Sequence, residues 1–153
     1  MAMRVYECDE SEVKELKKVL SYDPYLDNNL IPKVPELSNK DIAKMTPEQL
    51  KEYKDKEARA AESLKKLSED KLANVIFVRQ DYDLREGRAL GIETSKSYLY
   101  LKATDEFLDL AEEKFKRDFK TIKRTDPEIE KKFIAIKEDE DSRANQGFGS
   151  IFG

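Results

Sequence analysis

Three arginines crowd the stretch RQDYDLREGR, at Arg79, Arg85 and Arg88. Guanidinium forks match the paired oxygens of phosphate or carboxylate. Gly87 and Gly91 beside them would let backbone N–H groups approach an anion. The pattern suggests a site for a phosphorylated small molecule, although the glycine spacing fits no phosphate-loop motif. Asp81, Asp83 and Glu86 interleave with these arginines, so solvated surface pairing accounts for the same residues. Those acids also raise hard-cation chemistry. DYDLREG sets carboxylates at alternate positions, and DPYLDNN gathers Asp23, Asp27, Asn28 and Asn29. The first stretch lacks the third oxygen ligand, the sixth-position glycine and the closing glutamate of a calcium loop. Turn formation explains both stretches, and neither a metal site nor a cofactor is expected.

What the chain lacks narrows the chemistry further. It has no histidine and a single cysteine, Cys8. The commonest general base is therefore missing, as are the thiolates for a zinc site or an intrachain disulfide. With no histidine to activate it, Cys8 reads as a small buried apolar residue rather than a nucleophile. Among 33 Asp+Glu no carboxylate pair stands out for glycoside chemistry. No catalytic residue is assigned, and a non-enzymatic protein is expected. Charged residues are 41% of the chain and the apolar set 39%, a modest core under a heavily solvated surface. The Lys/Glu richness is compatible with a thermophilic source. A net charge of −4 disfavours nucleic acid, whose affinity rests on neutralising phosphates. The start, MAMRVYECDESE, shows no apolar run before a cleavage site, and no stretch approaches the ~20 apolar residues that span a bilayer. The expectation is a soluble cytoplasmic protein with no membrane partner.

The elements that would position these residues follow from periodicity. Residues 3–8 read as a strand. Asp9 then caps a helix, with Glu12 completing a capping box and Val13, Leu16 and Leu20 on one face. Pro24, Pro32 and Pro35 forbid regular structure in the next segment, whose apolar residues predict wrapping across the body. Thr46, Pro47 and Gln49 open the clearest helix, running to about Glu69. Its stripe is Leu50, Tyr53, Ala60, Leu64 and Leu67, interrupted by Glu57. That suits sheet packing or a short antiparallel helix pair and falls short of a long coiled coil. Val75–Val78 reads as a buried strand and SYLYLKA as an alternating one. Thr104 caps a helix with Phe107, Leu108, Ala111 and Phe115 inward. A short strand around Ile122, a turn at Pro127 and a last strand, KFIAIKE, complete the pattern.

At 153 residues this is one α+β domain over 1–137, followed by an acidic and then Gly/Phe-rich tail over 138–153. The order predicts a small antiparallel sheet with helices on one face, in the split βαβ arrangement of ferredoxin-like domains, with an extended helical insertion at about 18–70. If Leu99 and Leu101 face those helices, then Tyr98, Tyr100 and Lys102 face outward, joined by Tyr6 and Arg79. Aromatics interleaved with cations on an open sheet suit single-stranded nucleic acid. Lys96–Leu101, KSYLYL, is similar to the sheet motif of RNA-recognition domains over about eight residues. Ser97 and Leu99 depart from its small residues, and Ala103 stands where an aromatic belongs. The competing expectation is that these tyrosines are covered by the tail, by the 22–35 loop or by a second subunit.

The ending ANQGFGSIFG poses its own question. Its glycines oppose a stable helix, and the acids at 138–141 favour an extended lead-in. Phe148, Ile151 and Phe152 remain as anchors for a receiving groove, on another protein or on the chain's own sheet. Acid-then-aromatic endings are similar in general plan to those of bacterial single-strand-binding proteins. The leading expectation is an interaction or adaptor domain that docks a partner, or itself, through this tail or the open sheet face. Binding of RNA or single strands at Tyr98, Tyr100, Lys102 and Arg79 is the alternative. Recognition of a phosphorylated small molecule by Arg79, Arg85 and Arg88, as an enzyme or a binding protein, comes third.

Overall fold

The alternation in SYLYLKA forms a strand, and its pairing register sorts every neighbour onto one of two faces. The computed structural model describes residues 1–152, with side chains described through residue 146. The strands are β1 (Ala2–Cys8), β2 (Asp81–Glu86), β3 (Ser97–Ala103) and β4 (Lys123–Arg124). They form one open antiparallel sheet in the order β2-β3-β1-β4. Five α-helices accompany it among the described residues: α1 (Val13–Ser21), α2 (Asn39–Ala43), α3 (Pro47–Glu69), α4 (Asp105–Asp118) and α5 (Pro127–Phe152). The fold is mixed α+β. The chain divides into two compact units, one of residues 1–21 and 77–153 and the other of residues 22–76.

In the first unit, Tyr6 pairs with Leu99 and Arg4 with Leu101, so these four share a face. Leu99 and Leu101 are fully buried there. The Tyr6 ring meets Phe115 of α4 edge-on at 5.3 Å, and Phe115 stacks on Phe77 at 5.3 Å. Phe77 belongs to a 3₁₀ turn over Phe77–Arg79 that packs against α1. Val5, opposite Tyr100, belongs to the other face. There Val5, Leu90, Tyr98, Tyr100 and Phe133 form a second buried cluster, flanked by Met3, Ile129, Ile134 and Ile136. The sheet is therefore covered by α1 and α4 on one side and by α5 on the other.

This corrects the expectation of helices on one face only. KFIAIKE is not a last strand but part of α5. Pro127 opens that helix, where its fixed φ and missing N–H do no harm. Asp126 receives the N–H of Glu128 on its carboxylate at 2.9 Å. Ile129, Phe133 and Ile136 then recur at helical rather than strand spacing. The acids at 138–141 also continue the helix instead of forming an extended lead-in. The run at Val75–Val78 is likewise no strand: Phe77–Arg79 is a 3₁₀ turn, and pairing begins at Asp81. Glu12 makes no capping box. Its carboxylate accepts the Thr121 N–H at 2.6 Å, the Lys120 N–H and the Thr121 hydroxyl, tying the start of α1 to the link before β4.

The second unit spans 22–76 rather than about 18–70 and contains α2 and α3. Thr46 and Gln49 form the reciprocal capping box that starts α3, with Pro47 at the first position. At its far end Asn74 donates to the carbonyls of Leu67 at 2.7 Å and Asp70 at 2.6 Å, and accepts the Tyr25 hydroxyl proton. Asp23 and Asp27 cap turns, accepting the N–H groups of Tyr25 at 3.0 Å and Asn29 at 2.9 Å. This is the turn role anticipated for DPYLDNN.

Candidate functional site

Of the residues expected on an open sheet face, Tyr98, Tyr100 and Lys102 share one face, but that face is closed. Tyr98 is 3% and Tyr100 2% exposed. The Tyr100 ring lies 5.7 Å from Phe133 of α5, Lys137 sits over Tyr100 at 5.6 Å, and Arg85 sits over Phe133 at 5.5 Å. The cations over these rings are Lys137 and Arg85 rather than the expected Lys102 and Arg79, and α5 packs on the ring-bearing face. Lys102 lies on the same face, opposite Met3 and Asp81. Tyr6 is on the reverse face, and Arg79 belongs to a turn rather than a neighbouring strand. Phe148, Ile151 and Phe152 have side chains outside the described residues.

Arg85 and Arg88 have different surroundings. Arg85 forks onto Glu140 of α5, at 2.8 and 2.7 Å, and onto Asp83, at 3.1 and 2.8 Å. Lys137 completes the network, donating to Asp83 at 3.2 Å. Hydrogen bonds to Glu140 first and Asp83 second raise the Arg85 pKa further, so this group stays charged. It fastens α5 to β2 and is spoken for as a ligand contact.

Arg88 lies elsewhere, in a cleft of about 460 Å³ lined by Lys14 and Lys17 of α1, Glu10, Glu86 and the Thr94–Ser97 segment. Two glycines flank Arg88 in the turn that carries it. Gly87 donates its N–H to the Lys96 carbonyl at 2.9 Å, and a Cβ there would meet Thr94 at 2.3 Å. Gly91 ends the following turn at φ 74, a left-handed conformation that costs glycine little. Lys96 is held by Glu7. The cations left to a guest are Lys14, Lys17 and Arg88, facing Glu10 and Glu86. Sequence reading found Arg88 but missed the lysines. Their spacing beside Val13 on the polar side of α1 was the available signal.

The stripe of α3 is a different kind of surface. Of the helix's 23 residues only Leu67 is buried. Leu64 is 46% exposed, and Leu50, Tyr53 and Ala60 are partly exposed. A hydrogen bond with Glu57 one turn on raises the Tyr53 hydroxyl pKa, so the acid interrupting the stripe has a partner within it.

Cys8 is fully buried, and burial first, then Glu12 and Asp9, pushes its thiol up to about 11. That thiol is inert at neutral pH. Among the described residues no group of three or more Cys, Asp or Glu side chains could hold a metal ion, and no helix is long and apolar enough to cross a membrane. No protein-family model, curated protein or solved structure matches the chain.

Proposed function

We propose that the chain is a non-enzymatic interaction module and that α3 is its docking element. The observation carrying this reading is the incompletely covered stripe of Leu50, Tyr53 and Ala60, partly exposed, and Leu64, exposed, on a helix of 23 residues. A helix of that length in a folded protein ordinarily buries its apolar side. The occupant we assign is α3 of a second copy, running antiparallel. The spacing is its own mirror: a two-fold axis between positions 58 and 59 exchanges Tyr53 with Leu64, Glu57 with Ala60, and Leu50 with Leu67, the last already buried in its own chain. Steps of three and four place all six on one seam, and the small Ala60 leaves room for the opposing Glu57. Two leucines per copy, Leu50 and Leu64, would each gain about 1–2 kcal/mol from further covering. Association costs about 4–15 kcal/mol, so a weak, concentration-dependent dimer is expected. Sedimentation equilibrium tests it. The apparent mass should rise with concentration toward twice 17.8 kDa, and Leu64→Asp should hold it at the monomer value. A monomer at every concentration would reject the second copy as occupant.

Two finer readings belong with this one. The order β2-β3-β1-β4, with α1 and α4 on one face, supports a ferredoxin-like arrangement extended by the 22–76 unit and by α5. Phe148, Ile151 and Phe152 are proposed as a separate contact for another protein, on composition alone. A nucleic-acid reading gains no support from the sheet face, where the rings are buried.

A second reading rests on Arg88, Lys14 and Lys17 about the 460 Å³ cleft. It assigns the cleft to a phosphorylated small molecule. Pyrophosphate should shift the amide resonances of Lys14, Arg88 and Thr94 saturably, and Arg88→Ala should abolish the effect. Shifts spread evenly over surface lysines would reject it.

A further inference from the structure

The sheet ends on β2, and the phase of its ladder shows which backbone groups face outward. Gly87 donates its N–H to the Lys96 carbonyl at 2.9 Å, and this pair continues the β2–β3 register. Across the sheet Thr125 donates to the Val5 carbonyl at 3.1 Å, which fixes the same phase through β1. Antiparallel residues alternate between bonded and unbonded pairs. Asp83 and Arg85 therefore turn their N–H and C=O groups to β3, while Tyr82, Leu84 and Glu86 turn theirs away from the sheet. These three make no backbone hydrogen bond outside the sheet to a described residue.

Such an edge is a template for another chain, and proteins ordinarily blunt it with proline, lysine or a bulge. β2, DYDLRE, contains neither proline nor lysine, and its six pairs with β3 run without a bulge. Its two mid-strand charges are drawn onto α5, Arg85 by Glu140 at 2.7 Å and Asp83 by Lys137 at 3.2 Å. Tyr82 and Leu84, half-buried, stand opposite Leu101 and Leu99 and offer apolar contact to an added strand. Asp81, Glu138 and Asp141 are exposed and make no ion pair with a described residue. After burial, Asp81, Asp141 and Glu138 raise the Tyr100 hydroxyl pKa, so all three lie about the ring that stands opposite Asp83. Lys102, opposite Asp81, offsets one of them. Charge thus selects a cationic occupant. It disfavours a second β2, whose six residues carry three acids and one arginine.

We infer that the β2 edge takes up an extended, lysine- or arginine-bearing segment of another protein as a fifth strand, bonded to Tyr82, Leu84 and Glu86, with an apolar residue against Leu84 and a cation near Asp81. Main-chain hydrogen bonds supply the affinity and the acids the selectivity. The α3 face contributes no residue to this edge, so the inference stands apart from the self-pairing assigned above.

The blocked heptapeptides KVTVTVK and EVTVTVE test the inference on the full chain. KVTVTVK should saturably slow amide hydrogen exchange at Tyr82, Leu84 and Glu86, which is fast without it. EVTVTVE should bind about ten-fold more weakly. Leu84→Pro removes an outward N–H and leaves the β3 ladder intact, so it should abolish the protection in a folded chain. Asp81→Lys, with its backbone unchanged, should weaken KVTVTVK, which keeps the test decisive if Leu84→Pro unfolds. Protection that rises with protein concentration alone would make a second copy the occupant and overturn the proposal. So would no saturable protection, equal affinity for the two peptides, or unchanged affinity in both variants.

Discussion

Replacing Phe133 by alanine tests whether α5 is part of the fold. The side chain is fully buried, its ring 5.7 Å from Tyr100 and beneath the Arg85 guanidinium at 5.5 Å. Truncation removes both contacts and opens a cavity between helix and sheet, a change that costs about 3–5 kcal/mol in comparable cores. A domain of this size has about 5–15 kcal/mol in total, so much of its stability is at stake. With a urea slope of about 1–3 kcal/mol per molar, the unfolding midpoint should fall by roughly 2 M. The chain has no tryptophan, so near-ultraviolet dichroism of the tyrosines and far-ultraviolet dichroism of the helices are suitable probes. Ala135→Ser, on the exposed side of the same helix, is the control and should stay within about 0.5 kcal/mol. A loss below about 1 kcal/mol for Phe133→Ala would mean that α5 does not cover Tyr98 and Tyr100. The open-face reading would then return.

Three further outcomes follow from the same contacts. Glu12→Gln should cost about 1–2 kcal/mol in equilibrium unfolding, because its carboxylate gathers three donors on Lys120 and Thr121. Hydrogen bonds, first from the Thr121 hydroxyl, hold the Glu12 pKa below its ordinary 4.5. That stability is present above pH 4.5 and lost as pH falls through the lowered value, and an acid titration of Glu12→Gln should show a shallower loss. Glu140→Gln breaks the Arg85 fork; hydrogen exchange in α5 should quicken around Lys137 while β3 stays protected. Tyr100→Ala should lower the thermal midpoint and leave any oligonucleotide binding unchanged, as measured by fluorescence anisotropy against salt.

The strand SYLYLKA and the capped helix at Thr46 were legible because each carries a local signal: a period of two in one, a reciprocal cap in the other. Leu99 and Leu101 were correctly separated from Tyr98 and Tyr100. What covers the tyrosines was not legible in the alternation, since a ring buried under a helix and a ring facing a ligand obey the same period. The error in KFIAIKE has a plain cause. A run of Phe, Ile, Ala and Ile satisfies both patterns over four residues, and only Ile129 and the Asp126–Pro127 start decide for a helix. Arg85 and Arg88 sit close in sequence but have different neighbours, because one turn at Gly87 separates β2 from Arg88. Lys14 and Lys17 reach that cleft from α1, a juxtaposition made by tertiary structure alone.

Cysteine cross-linking tests the pairing of α3 most directly. Cys8 is buried with its thiol raised to about 11 by burial, so it does not compete under mild oxidation. Tyr53→Cys and Leu64→Cys, each on the otherwise native chain, should give a disulfide-linked dimer when mixed, while Tyr53→Cys alone should stay monomeric. No dimer from the mixture, or an equally efficient dimer from Tyr53→Cys alone, would contradict an antiparallel α3 interface.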